Sequence, residues 1–369
     1  MEIEMGQHIV VIGAGIVGAS LAYHLAGKVA QVTVVEAGEI ASGVTATSFA
    51  WINTSHSAPD PIAALRGAAI GEFRRLQREL PDLQIRWTGA LCYGAGTDAA
   101  LQATDHASSA TPVPRSQILE LEPTLKNPPE HALFKAEEGA LDAVQATQAL
   151  ISGAQALGAK VLTHTRVLGF RTVNGQVTGV ETATGTLEAD VIVLAAGTGI
   201  KALTGMLGAP LAVEASPSVF IRYAAQPGLV NTLISNTEME VRQTADGTLL
   251  VAEDYRDDAE ENHPSAIARR TGEAICNELR GVRSLEPQMA CVGLRPIAVD
   301  ARPVIGYLPT AGGVYVCSMH PGVALAAIVG RLASEEILDS QAHASLLPCR
   351  PARFFQDAAA SNTPASTSI

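Results

Sequence analysis

Glycines at a spacing that can cradle phosphate open the chain. Gly13-Ala14-Gly15-Ile16-Val17-Gly18 follows directly on the β-branched run His8-Ile9-Val10-Val11-Ile12, and residues 19–26 continue at helical spacing. A second apolar run, Gln31–Val35, ends in Glu36. In such a turn the first glycine allows the bend and the second lets backbone approach a pyrophosphate. The third lets helix and strand pack closely. The pyrophosphate would lie on the helix N-terminus, where free amides and the dipole favour an anion. Glu36 is positioned to accept hydrogen bonds from ribose hydroxyls, and its charge argues against a 2′-phosphate there. The six-residue motif alone is weak. With strand, helix, strand and acid in order, it reads as a dinucleotide site rather than a turn packed for its own sake.

After Glu36 the chain runs Ile40-Ala41-Ser42-Gly43-Val44-Thr45-Ala46-Thr47-Ser48-Phe49-Ala50-Trp51, small and rich in hydroxyls. Its amides and hydroxyls offer donors for a second stretch of pyrophosphate and for a flat ring. The competing reading is a Ser/Thr-rich surface loop.

The elements that must carry these residues can be read around them. The chain has 369 residues, enough for about two domains at roughly 150 residues each. Apolar residues make up 47% and charged residues 17%, the balance of a folded protein. The net charge of −12, with no basic run and 4% aromatics, excludes nucleic-acid partners and argues against anionic membranes. No apolar stretch reaches the roughly 18–20 residues that span a bilayer, and no secretory signal is visible at the amino terminus. Cysteines at 92, 276, 291, 317 and 349 are odd in number and form no Cys-x-x-Cys pair. That pattern reads as a reducing, cytoplasmic setting with no disulfide framework and no metal site.

Residues 62–80 read as an amphipathic helix with Leu65, Ala69, Phe73 and Leu76 on one face. Residues 97–131 read as loop and short helix, and residues 143–157 as a helix. Strands are expected at 160–162 and 165–170, and Asn174-Gly175 is a type I′ hairpin signal. Asp190-Val191-Ile192-Val193-Leu194-Ala195-Ala196-Gly197 reads as another buried strand. From 217 to about 285 the pattern becomes alternating strands, at 219–223, 233–234, 240–243 and 249–252, with an Asp246-Gly247 turn. This suits a second, antiparallel domain. A final strand, Gly313-Val314-Tyr315-Val316-Cys317, is followed by Ser318-Met319-His320-Pro321-Gly322 and a long helix.

The 13–18 turn, Glu36, the 42–48 loop and this carboxy-terminal block, with Gly293-Leu294-Arg295-Pro296, resemble the amine-oxidising flavoproteins of the D-amino-acid oxidase superfamily. Glycine, sarcosine and iminodiacetate oxidases and related D-amino-acid or hydroxyproline dehydrogenases are the members most alike. The likeness covers nearly the whole chain and is weakest in its middle third. It implies an α/β fold: a discontinuous Rossmann-type FAD-binding domain (1–90, 139–205 and 286–369) with an antiparallel-sheet substrate domain (91–138 and 206–285). It implies FAD, held without a covalent bond, rather than NAD. The cofactor contacts it implies are Gly13, Gly15, Ile16, Val17, Gly18, Glu36, Ala37, Ser42, Gly43, Thr45, Ala46, Thr47, Ser48, Val167, Ala196 and Gly197. At the final helix they are Met319, Gly322, Val323 and Ala324, whose amides would face the flavin where charge develops on reduction.

Arg295 matches a carboxylate-binding arginine of glycine oxidase, a task that suits a planar guanidinium. His320 stands where that enzyme has a second substrate arginine. Arg222, Tyr223 and Arg242 are further candidates. The implied reaction moves a hydride from the α-carbon of an amine to flavin N5, and the imine then hydrolyses. The flavin carries that chemistry, so no catalytic triad is expected. Sarcosine oxidases carry an oxygen-activating lysine in the later part of the chain. Here the lysines are 28, 126, 135, 160 and 201, and none follows. Oxygen therefore competes with a quinone or partner protein as expected acceptor, which could bring the protein to a membrane surface. The alternatives are the flavin subunit of a hetero-oligomer and an NAD-dependent dehydrogenase.

Overall fold

In the computed structural model, residues 6–28, 30–54, 60–94 and 110–355 are described. Two large sheets organise them. The first has strand order 304–307, 314–318, 191–194, 8–12, 31–35, 160–162. All its pairings are parallel except the one between Val304–Tyr307 and Val314–Ser318. The strand His8–Ile12 is near-continuously apolar because both its faces are covered. Ile9 and Val11 pack under the helices Ile16–Ala26, Ala143–Ala156 and Gly322–Asp339. Val10 and Ile12 face a small antiparallel sheet, 167–173, 176–182 and 185–188, and the short helix Ile200–Met206. The hairpin in that sheet turns at Asn174 and Gly175, both at positive φ, as the type I′ signal predicts.

The second large sheet runs 287–298, 213–223, 249–254, 240–243, 233–235, 90–92, 131–135, 111–114. Its pairings are antiparallel except that of Leu233–Ser235 with Ala90–Cys92. One face buries Val219, Ile221 and Tyr223 against the helix Pro264–Glu278. The other packs Phe220, Leu233 and Leu250 on Phe49 and Ala140. The small strands Trp51–Ile52, Ile85–Arg86 and Gly139–Leu141 pair beside that face.

The structure corrects three expectations. Residues 264–278 form a helix, not more strand; Ile267, Ala268, Thr271 and Ile275 make its buried stripe, with Pro264 in the first turn. The strand Pro287–Ala298 pairs along its length with Val213–Tyr223, so it belongs to the second sheet and not to the cofactor-binding unit. The chain returns to the first sheet only at Val304. The segment expected as loop and short helix at 97–131 has its short helix at Arg115–Leu121 but also a strand, Thr111–Pro114, that was not expected, while its residues up to 109 lie outside the described set. Among the described residues no helix is long and apolar enough to cross a membrane.

Buried charge ties the helices that carry the first sheet. Glu72, in the helix Ala63–Glu79, accepts from Arg75 Nε at 2.9 Å and from Arg331 Nε of the final helix at 3.1 Å. His24 Nε2 of the first helix lies 3.6 Å away. Burial by itself would raise the Glu72 pKa, but hydrogen bonds from His24 and Arg75 and the charge of Arg331 outweigh it and hold the group at about 2. A carboxylate with a lowered folded-state pKa contributes stability above its ordinary 4.5 and loses it as pH falls through about 2. Glu72→Gln should therefore cost about 1–3 kcal/mol at neutral pH. In urea unfolding, the gap from wild type should close between pH 4.5 and 2. A gap independent of pH would show that packing, not charge, is what Glu72 provides.

Candidate active site

Brought together at the carboxyl ends of the first sheet are the turn after Ile12, Glu36 after Val35, Ala195-Ala196 after Leu194 and the segment after Ser318. Strand His8–Ile12 has the chain's next strand on one side and a much later one on the other, a topological switch point of the kind where open α/β sheets bind ligands. A cavity of about 1020 Å³ lies between these ends and the Phe220 face of the second sheet.

The turn is shaped as its glycines predict. Gly13 has φ +108°, and a Cβ there would meet the Ala195 carbonyl oxygen at 2.5 Å. A Cβ on Gly18 would meet the Gly13 carbonyl oxygen at 1.9 Å, so this residue sets the helix–strand approach and does not itself line the cavity. Gly15 caps the first helix with no side-chain bond, leaving its first turn open to the cavity. Thr45 Oγ1 accepts from the Ile16 amide at 3.2 Å and fixes the following loop over the helix end. Glu36 is held by the amides of Ala14 and Gly38, each at 2.8 Å to a different carboxylate oxygen. Its carboxylate is thus aimed before any ribose arrives.

Gly13, Gly15, Ile16, Val17, Glu36, Ala37, Ser42, Gly43, Thr45, Thr47, Ser48, Val167, Ala196 and Gly197 all line the cavity. So do Met319, Gly322, Val323 and Ala324, on a helix whose N-cap, Pro321, has no side chain to satisfy the first amides. Ala46 does not. It is exposed on the turn Val44–Thr47, and its amide is spent on the Gly43 carbonyl at 3.0 Å.

Arg295 and His320 meet in the same cavity. Arg295 Nη2 donates to the Pro217 carbonyl at 3.0 Å and to Ser216 Oγ at 3.3 Å. Its Nε is buried with no partner, and among the described residues no carboxylate is paired with it. His320 opens into the cavity, where burial and then the guanidinium groups of Arg295 and Arg66 push its pKa down to about 4. It is a neutral imidazole at pH 7, not a group titrating near 6.5.

The other arginines leave the site. Arg242 is buried and donates to the Phe49 and Leu141 carbonyls at 2.6 and 2.8 Å, so it staples the second sheet to the loop. Tyr223 donates to the Ala268 carbonyl on the opposite face, and Arg222 does not line the cavity. Sequence reasoning missed Arg66, Ser318 and Glu240. Arg66 comes from the helix Ala63–Glu79 and pairs with Asp60 at 3.1 Å. Ser318 Oγ is buried without a partner in the cavity wall. Only Glu240 carried a signal, as an acid opening a strand of the substrate sheet.

The profile of the FAD dependent oxidoreductase (DAO) family matches residues 8–336. The chain belongs to that family. It is an FAD-dependent oxidoreductase acting on CH–NH or CH–NH2 groups. A glycine oxidase of Pseudomonas putida is 26% identical over 339 residues, 86% of this chain and 90% of the relative. A D-amino acid dehydrogenase of Cereibacter sphaeroides is 28% identical, covering 83% of this chain and 86% of the relative. The L-proline dehydrogenase of P. horikoshii superimposes with a TM-score of 0.83 at 21% identity, covering 95% of this chain and 98% of that one. The cavity fits the family's cofactor on its own terms: two helix N-termini that open on it, a pre-aimed carboxylate and a turn at Gly13 and Gly18 too tight for any Cβ.

Glu36→Ala should weaken FAD binding, since charge-assisted hydrogen bonds are worth about 1.5–3 kcal/mol each. Flavin content after gel filtration measures this, with acid precipitation releasing the yellow cofactor to the supernatant. Full retention of flavin would move the adenosine site elsewhere.

Proposed function

We propose that this oxidoreductase acts on a small amino acid or N-substituted glycine (glycine, sarcosine, iminodiacetate, D-amino-acid or hydroxyproline type) and holds the substrate carboxylate on Arg295. The observation that carries this is the guanidinium itself: it lines the cavity with a buried, unpartnered Nε, and among the described residues no carboxylate forms an ion pair with it. A buried cation without an anion is costly, and an anionic substrate relieves that cost. Of the other cavity arginines, Arg66 is already occupied by Asp60 and Asn53, and Arg166 is exposed to solvent.

Bound FAD supplies the acceptor for the hydride that leaves the substrate's α-carbon. The protein's part is to orient and desolvate. Arg295 fixes one end of the substrate, and the neighbouring strand Val213–Tyr223 holds Arg295 through Ser216 and Pro217. Neutral His320 can accept or donate a hydrogen bond beside it without adding a second charge. The cofactor is non-covalent in this reading. Cys317 is the buried thiol nearest the final helix, and burial pushes its pKa far up, away from a reactive thiolate.

Arg295→Ala should lose roughly 30- to several-thousand-fold in kcat/KM with the flavin spectrum intact, because breaking a buried charge pair costs about 2–5 kcal/mol. Arg295→Lys should recover little, since an ammonium lacks the planar fork. Anaerobic titration of flavin reduction by small amino acids is the measurement. Unchanged half-saturation in Arg295→Ala would shift the carboxylate to Arg66.

All five lysines lie in described segments, and none lines the cavity. This favours a quinone, dye or partner protein over oxygen as the acceptor, which is also how the second reading, a flavin-bearing subunit of a hetero-oligomer, would work. Stopped-flow reoxidation should be slow in air and fast with an artificial quinone. Rapid reoxidation in air alone would make the protein an oxidase.

A further inference from the structure

The wall of the cavity carries carboxylates that the preceding reading leaves unused, among them Glu240. Glu240 opens the strand Glu240–Gln243 and pairs across the hairpin with Ser235. Alternation puts it on the same face as Arg242, whose side chain reaches Phe49 on the cavity side of the sheet. Glu240 lines the cavity together with Arg295 and His320. Among the described residues it has no hydrogen-bond or ion-pair partner, although every other cavity charge except Arg295 is answered or solvated. Arg66 has Asp60, and Glu36 has two amides. One unanswered cation and one unanswered anion thus face the same space.

We propose that Glu240 receives the ammonium group of the substrate whose carboxylate Arg295 holds, and that it takes the proton this group must lose before hydride can leave the α-carbon. The proposal rests on the amino-acid reading above. In the step, one N–H bond of the ammonium breaks and one O–H bond forms on Glu240, giving a neutral amine and a neutral carboxylic acid. The C–H electron pair then leaves as hydride to FAD while the nitrogen lone pair forms the C=N bond. Glu240 afterwards returns its proton to water.

The surroundings suit this. Burial, then the charges of Glu253 and Asp254 on the neighbouring strand, raise the Glu240 pKa to about 7, against the opposing pull of Arg295. Glu253 itself is turned to the far face, where Thr271 donates to it at 2.9 Å. Glu238 precedes Glu240 on the hairpin, and the Cys92 thiol sits on the strand beyond Ser235 with its own pKa pushed up to about 12 by burial. Arg242, on Glu240's own strand, is committed to carbonyls, and neutral His320 adds no charge from across the cavity. A proton acceptor works best when its pKa lies near the working pH. Below about pH 7 Glu240 is protonated and cannot accept, so flavin reduction should slow as pH falls.

The test uses the flavin-loaded protein with glycine, sarcosine, D-alanine and L-proline under anaerobic conditions, and acetate as a ligand without an amine. In wild type, the reduction rate at saturating substrate should rise through about pH 7. Glu240→Gln should lose that rise, and its half-saturation for the amino acid should increase roughly 10- to 100-fold. Acetate binding, read from the flavin spectrum, should be unchanged or tighter, since the repelling carboxylate is gone. Glu240→Asp should keep the rise at a lower rate, which carries the test if the Gln variant loses flavin. A Gln variant with the wild-type pH profile and half-saturation overturns the assignment, as does one that loses acetate and amino acid alike, because Glu240 would then only shape the wall. If no amine in the panel reduces wild type, the amino-acid reading falls and takes this role with it. If wild type is reduced and the variant matches it, only Glu240 is released.

Discussion

The close approach of two backbones at Gly13 is the constraint on which the site depends. The end of strand His8–Ile12 bends against the Ala195 carbonyl, and the first helix starts so near this bend that Gly18 lies on the Gly13 carbonyl. No side chain fits at either position. Because the bend is that tight, the first helix points its free amides over the sheet's carboxyl edge, and Glu36 on the next strand comes within reach of the Ala14 amide. Moving the helix outward by the width of a methyl group would shift the amide end, the Thr45 latch and the Glu36 carboxylate together. The final helix depends on the same packing. It crosses the first helix where Ser20 donates to the Ala326 carbonyl at 2.7 Å, and a Cβ on Gly330 would meet Ser20 Oγ. The two open helix ends are thus fixed relative to each other by small residues on both helices.

Charge in the cavity is arranged by withholding partners. An ion pair inside the protein would have satisfied Arg295 and left nothing for a ligand. Instead the neighbouring strand Val213–Tyr223 supplies one carbonyl and one hydroxyl to a single nitrogen, enough to aim the group but not enough to neutralise it. His320 stays neutral because the guanidiniums beside it and the surrounding protein both oppose its charging. A second arginine at that position would have doubled the cationic field. Here Arg295 has a neutral neighbour at that position, and the other cavity arginines are paired with Asp60, as Arg66 is, or exposed, as Arg166 is.

Much of the first-sheet side of the cavity was legible in the sequence because local backbone geometry shapes it. Glycine spacing, a terminal acid and β-branched runs are local signals, and each maps onto a turn, a carboxylate or a strand buried on both faces. The errors fall where a signal depends on pairing partners far away in sequence. Gly-Leu-Arg-Pro at 293–296 looked like part of the cofactor unit, yet its strand is zipped to residues 213–223 some eighty positions earlier. The helix Pro264–Glu278 had a readable start at Pro264 and a buried stripe, and was passed over only because strands surround it. Ala46 failed for a smaller reason: a tight turn consumes amides as readily as it presents them.

Arg242 and Arg295 together mark what separates a structural from a functional arginine in one sheet. Both rise from strands of the same sheet toward the cavity; Arg242 is buried, while Arg295 is half-buried with its Nε shielded from water. Arg242 meets two carbonyls at good distance and a ring face on Phe49, so its donors are spent on holding the loop, and burial then lowers its pKa to about 10. Arg295 keeps a buried Nε with nothing to donate to. Since an unmade hydrogen bond on a buried charged group costs more than a typical made one contributes, such a group persists only where something else repays it. Among the described residues no acceptor reaches Nε. The side that remains open to an acceptor is the cavity, and the same residue type at the two positions is thus distinguished by the acceptors around it.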